Sequence, residues 1–177
     1  MTVVPLTSMP SASPLTGSEI FYLQQSAADA QATISQITAM TGASIQTGQA
    51  NATSTTSGTT VMMGFGGATW GTPSVITPKR TGIVVFGVYG NLLNTGAFTT
   101  FAVIQYGTGT APVNGAAVTG TNIAGSIAGL GNLGPPFSMY APATGLALGT
   151  AYWFDVGLQV TGGTGSVTNI KMVAFEL

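Results

Sequence analysis

The chain has 177 residues, of which only 4% are charged, with a net charge of -1 and neither cysteine nor histidine. An ordinary soluble domain carries roughly 25% charged residues, so hydration here rests on Thr, Ser, Asn and Gln. Three cations make no basic patch, which argues against nucleic-acid binding, and without thiols or imidazoles there are no disulfides or zinc-type sites.

Residues 1–15 hold Pro5, Pro10 and Pro14 among small polar residues and read as an extended arm. They lack the basic segment and apolar run of a Sec-type signal. No apolar run approaches the ~18 residues of a membrane helix, so membrane insertion is not expected. Thr16-Gly17-Ser18-Glu19 leads into Ile20-Phe21-Tyr22-Leu23, a short strand ending in a turn at 24–29. A second strand at 30–32 precedes Thr33 and Gln36, whose spacing fits a capping box for one or two helical turns. A hairpin of this size is marginal alone, so residues 1–40 are expected to dock on something.

From 41 to 60 the sequence TGASIQTGQANATSTTSGTT has no charge and almost no large side chain, the composition of a linker. Residues 61–177 then read as a domain of about eight strands, at 61–65, 74–77, 82–89, 99–106, 116–120, 137–140, 152–160 and 167–175. The predicted fold class is all-β: an antiparallel β-sandwich or jelly roll carrying a small N-terminal hairpin-plus-short-helix module. Residues 121–134 are ambiguous between a bulged strand and an apolar loop.

The segment that organises this domain is Ile83-Val84-Val85-Phe86-Gly87-Val88-Tyr89. It is apolar on both faces, with Ile83, Val85 and Tyr89 on one and Val84, Phe86 and Val88 on the other. Such a strand is covered twice, by core on one side and by a partner subunit, a third layer or an extension of the chain on the other.

Few groups are available for acid-base chemistry. Glu19 and Asp29 flank a predicted turn, and Lys79-Arg80 precedes the organising strand; solvation is the plain reading of each. Asp155 stands in the apolar run Tyr152-Trp153-Phe154-Asp155-Val156. If the five-residue loop TGGTG closes a hairpin between 152–160 and 166–175, Asp155 falls opposite Lys171 and Trp153 opposite Val173. That register predicts a structural ion pair rather than a catalytic acid. Gly64-Phe65-Gly66-Gly67 lacks the Lys-Ser/Thr of a phosphate loop, and no carboxylate pair suits glycoside hydrolysis. An enzyme is not expected, nor is a cofactor.

Thr16 to Ile37, TGSEIFYLQQSAADAQATISQI, resembles a short module near the N-termini of bacteriophage tail and fibre proteins. Thr77-Pro78-Lys79-Arg80-Thr81-Gly82, Tyr106-Gly107-Thr108-Gly109-Thr110-Ala111-Pro112, Leu148 to Asp155 and the closing run 161–177 resemble the β-rich heads of phage and prophage virion proteins. The resemblance implies a virion protein of fibre or decoration type at the particle surface. It would be a homotrimer attached to capsid or tail proteins, with Glu19, Ile20, Phe21, Tyr22 and Leu23 as anchoring residues. The alternative is a receptor-binding adhesin that takes host glycan or protein with its head loops. Trp70, Tyr140 and Trp153 are the aromatic candidates for stacking on sugar, although Trp153 on a strand suits the core. A self-assembling or ice-binding surface protein would show regular Thr-x-Thr spacing, which the sequence lacks outside 41–60.

Overall fold

A computed structural model describes residues 20–25, 28–33, 43–49, 53–67, 73–123, 127–130 and 134–177. The chain divides into two units, Met1–Thr41 and Gly42–Leu177. In the first, β1 (Ile20–Gln25) pairs antiparallel with β2 (Ala28–Thr33), placing Ile20 opposite Thr33 and Gln25 opposite Ala28. Thr33 closes β2, whereas the rest of the predicted capping box, the arm and Glu19 lie outside the described residues.

The second unit is all-β. Its strands are β3 (Ser44–Gln49), β4 (Thr53–Thr55), β5 (Val61–Met62), β6 (Val75–Ile76), β7 (Val84–Asn94), β8 (Thr99–Thr108), β9 (Thr121–Asn122), β10 (Ile127–Leu130), β11 (Pro136–Ala143), β12 (Tyr152–Val160) and β13 (Gly165–Glu176). Among the described residues there is no helix. One antiparallel sheet has five strands in the order β11-β7-β13-β3, with β4 also on β13. The other has six, β10-β8-β12-β5, with β6 on β12 and β9 on β8.

The two sheets form a β-sandwich around a shared core. β7 sends Val84, Phe86, Val88 and Leu92 inward, and β13 sends Val167, Ile170, Met172 and Ala174. They meet Ile104 of β8 and Phe154, Val156 and Leu158 of β12. Phe86 is the central contact, its ring 5.1 Å from Phe154 and 5.4 Å from Tyr106. Fully burying a side chain of this class stabilises by about 1.5–3 kcal/mol, and the cluster draws on both sheets.

The TGGTG loop, expected to close a hairpin, instead carries the chain from one sheet to the other, and residues 95–98 do the same. Residues 95–98 lead from β7 in the five-stranded sheet to β8 in the six-stranded one, and 161–164 return from β12 to β13. The two arches are tied together: Thr95 N–H donates to the Thr164 carbonyl at 3.0 Å, and Thr161 N–H donates to that of Thr99 at 3.0 Å. Asn94 is their hub. Its Nδ2 donates to the Gly162 carbonyl at 3.1 Å and to Thr100 Oγ1 at 3.2 Å, and its Oδ1 accepts from Gly96 N–H at 3.1 Å.

Residues 44–49 and 53–55 are not a linker. β3 and β4 run along β13, placing Ile45 opposite Ala174 and Thr53 opposite Val167. Small polar residues suit this edge position, where Ser44 and Ser54 are exposed. The ambiguous segment 121–134 supplies β9 and β10 to the β8 edge.

The organising strand also differs from expectation. In β7 the Val84, Phe86 and Val88 face is core, whereas Val85 is half-buried and Tyr89 exposed. The strand covered on both faces is β12. Trp153 and Asp155, on its outer face, are buried, because residues 63–67 fold over them. Trp153 lies opposite Gly107, its indole donating to the Thr108 carbonyl at 3.1 Å.

Candidate functional site

The outer face of the five-stranded sheet is built by the residues that alternate with the core. Register places them in rows: Pro142, Val85, Phe175 and Ser44; then Tyr140, Gly87 and Val173; then Ser138, Tyr89 and Lys171. Phe175 is 42% exposed and Tyr140 57%. Tyr140 lies across Gly87, where a side chain would collide with its ring. The first two rows therefore form a surface without a charge, apolar across β11, β7 and β13 and bordered at the β3 edge by Ser44 and the register position of Gln46.

Beyond the third row, β13 bulges. Thr168 faces Asn91 and Lys171 faces Tyr89, so Asn169 and Ile170 together oppose Gly90, a two-against-one arrangement. Gly90 is required by it, since a Cβ there would stand 2.9 Å from the Thr168 carbonyl oxygen. Ile170 stays in the core, while Asn169 adopts φ 50° and turns to solvent. Tyr89, Gly90, Asn91, Pro136, Ser138 and Asn169 line a groove of about 550 Å³ beside the bulge. Asn91 Nδ2 is fixed by the Gly134 carbonyl at 2.9 Å. A smaller hollow of about 230 Å³ on the six-stranded sheet is lined by Thr60, Phe101, Val103, Gly157 and Gln159.

No protein-family model matches the chain, and no match was found among curated proteins. The site must be read from its chemistry.

The predicted ion pair is not made. Asp155 sits on β12 opposite Gln105 of β8, and Lys171 sits on β13 in the other sheet opposite Tyr89 and Gly48. The sheet-crossing arch breaks the hairpin register on which the pairing depended. Asp155 is instead fully buried and accepts from Gly64 N–H at 2.8 Å, Phe65 N–H at 3.0 Å and Val156 N–H at 2.7 Å. Burial pushes its carboxyl up to about 7, against the downward pull of the Phe65, Val156 and Gly64 N–H groups. With no atom open to solvent, Asp155 fastens the 64–67 turn onto β12.

A second carboxylate has the part that no sequence feature marked. Glu176 accepts N–H hydrogen bonds from Lys79 at 2.8 Å, Arg80 at 2.7 Å, Thr81 at 2.7 Å, Gly82 at 3.1 Å and Ala43 at 3.1 Å. Residues 79–82 thus form a backbone anion nest, with Gly82 at φ 64° completing it. Desolvation acts to raise the carboxyl pKa, and the Lys79, Arg80, Ala43 and Thr81 N–H groups overcome it, holding Glu176 well below the usual carboxylate range. Lys79-Arg80 stands out in the sequence for its cations, whereas it is the N–H groups of 79–82 that hold Glu176.

The anchoring candidates Ile20, Phe21, Tyr22 and Leu23 fall within β1; Trp70 lies outside the described residues. Among the described residues, no three His, Cys, Asp or Glu side chains converge to hold a metal ion.

Proposed function

We propose that this chain is a non-enzymatic virion structural protein, a short fibre or decoration protein whose jelly-roll-type head assembles into a homotrimer at the particle surface. The observation that carries the reading is the uncharged outer face formed by Tyr140, Pro142, Val85, Val173 and Phe175. Exposed apolar surfaces of this kind mark interaction sites. A second copy of the chain is the favoured occupant, because around a threefold axis equivalent residues of this face would stand close together and must not bring like charges into contact, and these two rows carry none. The separate N-terminal unit, with β1 and β2, serves as the attachment to capsid or tail, in line with its resemblance to fibre-type modules.

Antibody to this chain, imaged on purified phage particles by electron microscopy, tests the reading. Label over the capsid or tail is expected, and particles that carry none would overturn it.

A further inference from the structure

We propose that the groove beside the β13 bulge is a binding site for an acidic saccharide, with Tyr89 as the stacking platform and Lys171 as the partner of the sugar carboxylate. The site lies at the bulged end of the sheet, beyond the two apolar rows, and stands whether or not the chain belongs to a virion.

The groove combines an exposed aromatic ring with small uncharged polar groups. Tyr89 is 37% exposed, and a tyrosine at a surface offers a flat apolar face with a polar tip. Ser138 lies opposite it on β11 and Lys171 on β13, so the three form one row across three strands. Asn169 faces solvent from the next position around the bulge. Among the described residues, the side chains of Tyr89, Ser138, Asn169 and Lys171 have no hydrogen-bond or ion-pair partner. They present hydroxyl and amide groups that both donate and accept, together with one ammonium group that only donates.

Sugars match that inventory. Their ring C–H faces stack on aromatic rings, and their hydroxyls donate and accept in turn. A peptide fits less well: the groove floor is β7, paired on both sides by β11 and β13, so a strand could be added only at the outer edge of β11, on the side away from Tyr89 and Lys171. The volume of about 550 Å³ is within the range of small-ligand sites. Lys171 adds the class of sugar. It is one of three cations in the chain and pairs in register with Tyr89, where a carboxylate on the stacked ring would come within its reach.

The bulge makes the site possible. Without it, positions 169 and 171 would continue the alternation of Gly165 and Val167 and face the core. With it, Asn169 is lifted out beside Tyr89 in a conformation that non-glycine residues rarely adopt. Bulges commonly re-aim side chains beside functional sites.

Heteronuclear NMR titration of the full chain tests the proposal, with trigalacturonate, a hyaluronan tetrasaccharide and sialyllactose as probes. At least one acidic sugar should shift the Tyr89, Asn91, Ser138 and Asn169 amides, and its uncharged methyl ester should bind at least about fivefold more weakly. Tyr89→Ala should weaken binding at least about tenfold, a hot-spot-sized loss. Ser138→Trp, at an exposed position, should block the groove while leaving the spectrum of the core unchanged. Lys171→Met should bring the acid down to the affinity of its ester. No shift at these amides with any probe at about 10 mM, or binding that survives both Tyr89→Ala and Ser138→Trp, would overturn the site. Equal affinity for acid and ester would overturn the role of Lys171 and with it the acidic class. Light scattering on the same samples reads assembly separately, so loss of one property is not mistaken for loss of the other.

Discussion

Asp155 and Glu176 are both clasped by backbone N–H groups, yet they titrate in opposite directions. The Asp155 carboxyl is raised to about 7 by burial, so the folded state holds its proton where the unfolded chain has released it. Its contribution is complete below the unfolded value near 4 and is lost as pH rises through about 7, by on the order of 4 kcal/mol. Glu176 is lowered, so its contribution is present above the unfolded value and is lost as pH falls below about 4.5. Thermal unfolding followed from pH 3 to 8 should therefore show a stability maximum near pH 4–5. Asp155→Asn should flatten the neutral limb, and Glu176→Gln the acid limb. At its optimum Asp155→Asn should still cost about 1–3 kcal/mol, because an amide nitrogen must face one of the three N–H donors. A neutral limb that stays steep in Asp155→Asn would show that another group causes it. Gly90→Ala should destabilise by about 1–3 kcal/mol through collision with the Thr168 carbonyl.

The paired arches are the elements that most shape this fold. Asn94 is buried and bonds to groups of both arches. Asn94→Ala should cost about 1–3 kcal/mol for the groups left unpartnered, read as a shifted denaturation midpoint with little change in slope. A cost under about 0.5 kcal/mol would mean that the Thr95 and Thr161 bonds hold the arches alone. The sequence placed the 152–160 strand within its observed bounds but ended the 82–89 strand five residues short of Asn94, where β7 stops. It did not show which sheet the next strand joins. Glycine-rich loops of similar length close hairpins and arches alike, and the choice is made by partners distant in sequence. The Asp155–Lys171 pairing failed for that reason. The 41–60 segment was misread for another. Its residues lack the apolar alternation of a strand, and the partner they pair with, β13, lies more than a hundred residues on. Removing residues 42–60 should therefore leave β13 without its β3 and β4 neighbours and deprive Glu176 of the Ala43 N–H. A chain starting at Val61 should unfold at lower denaturant than one starting at Gly42. Equal midpoints would restore the linker reading. The Glu176 nest was illegible because its donors are main-chain groups, and residue type says little about them.

At the scale of the whole molecule, the outer face of the five-stranded sheet sets how strongly copies associate. Three strands about 4.8 Å apart and two rows about 6.8 Å apart give a patch on the order of 200 Å². That is well below the ~800 Å² per partner of a standard stable interface, so its weight rests on Tyr140 and Phe175 standing exposed together. Assembly through this face alone should therefore depend on concentration, and attachment to a particle would strengthen it by holding copies close together. Light scattering of the full chain should give about three chain masses at high micromolar concentration, falling towards one on dilution. Charge is too sparse to suppress this association, so raising salt should change it little. Tyr140→Ser and Phe175→Ser, both at exposed positions, should each shift the mass towards one chain without lowering thermal stability by more than about 0.5 kcal/mol. Lys171→Met should leave the mass unchanged, since Lys171 stands outside the two apolar rows. A single chain mass at all concentrations would remove the second copy as occupant of this face.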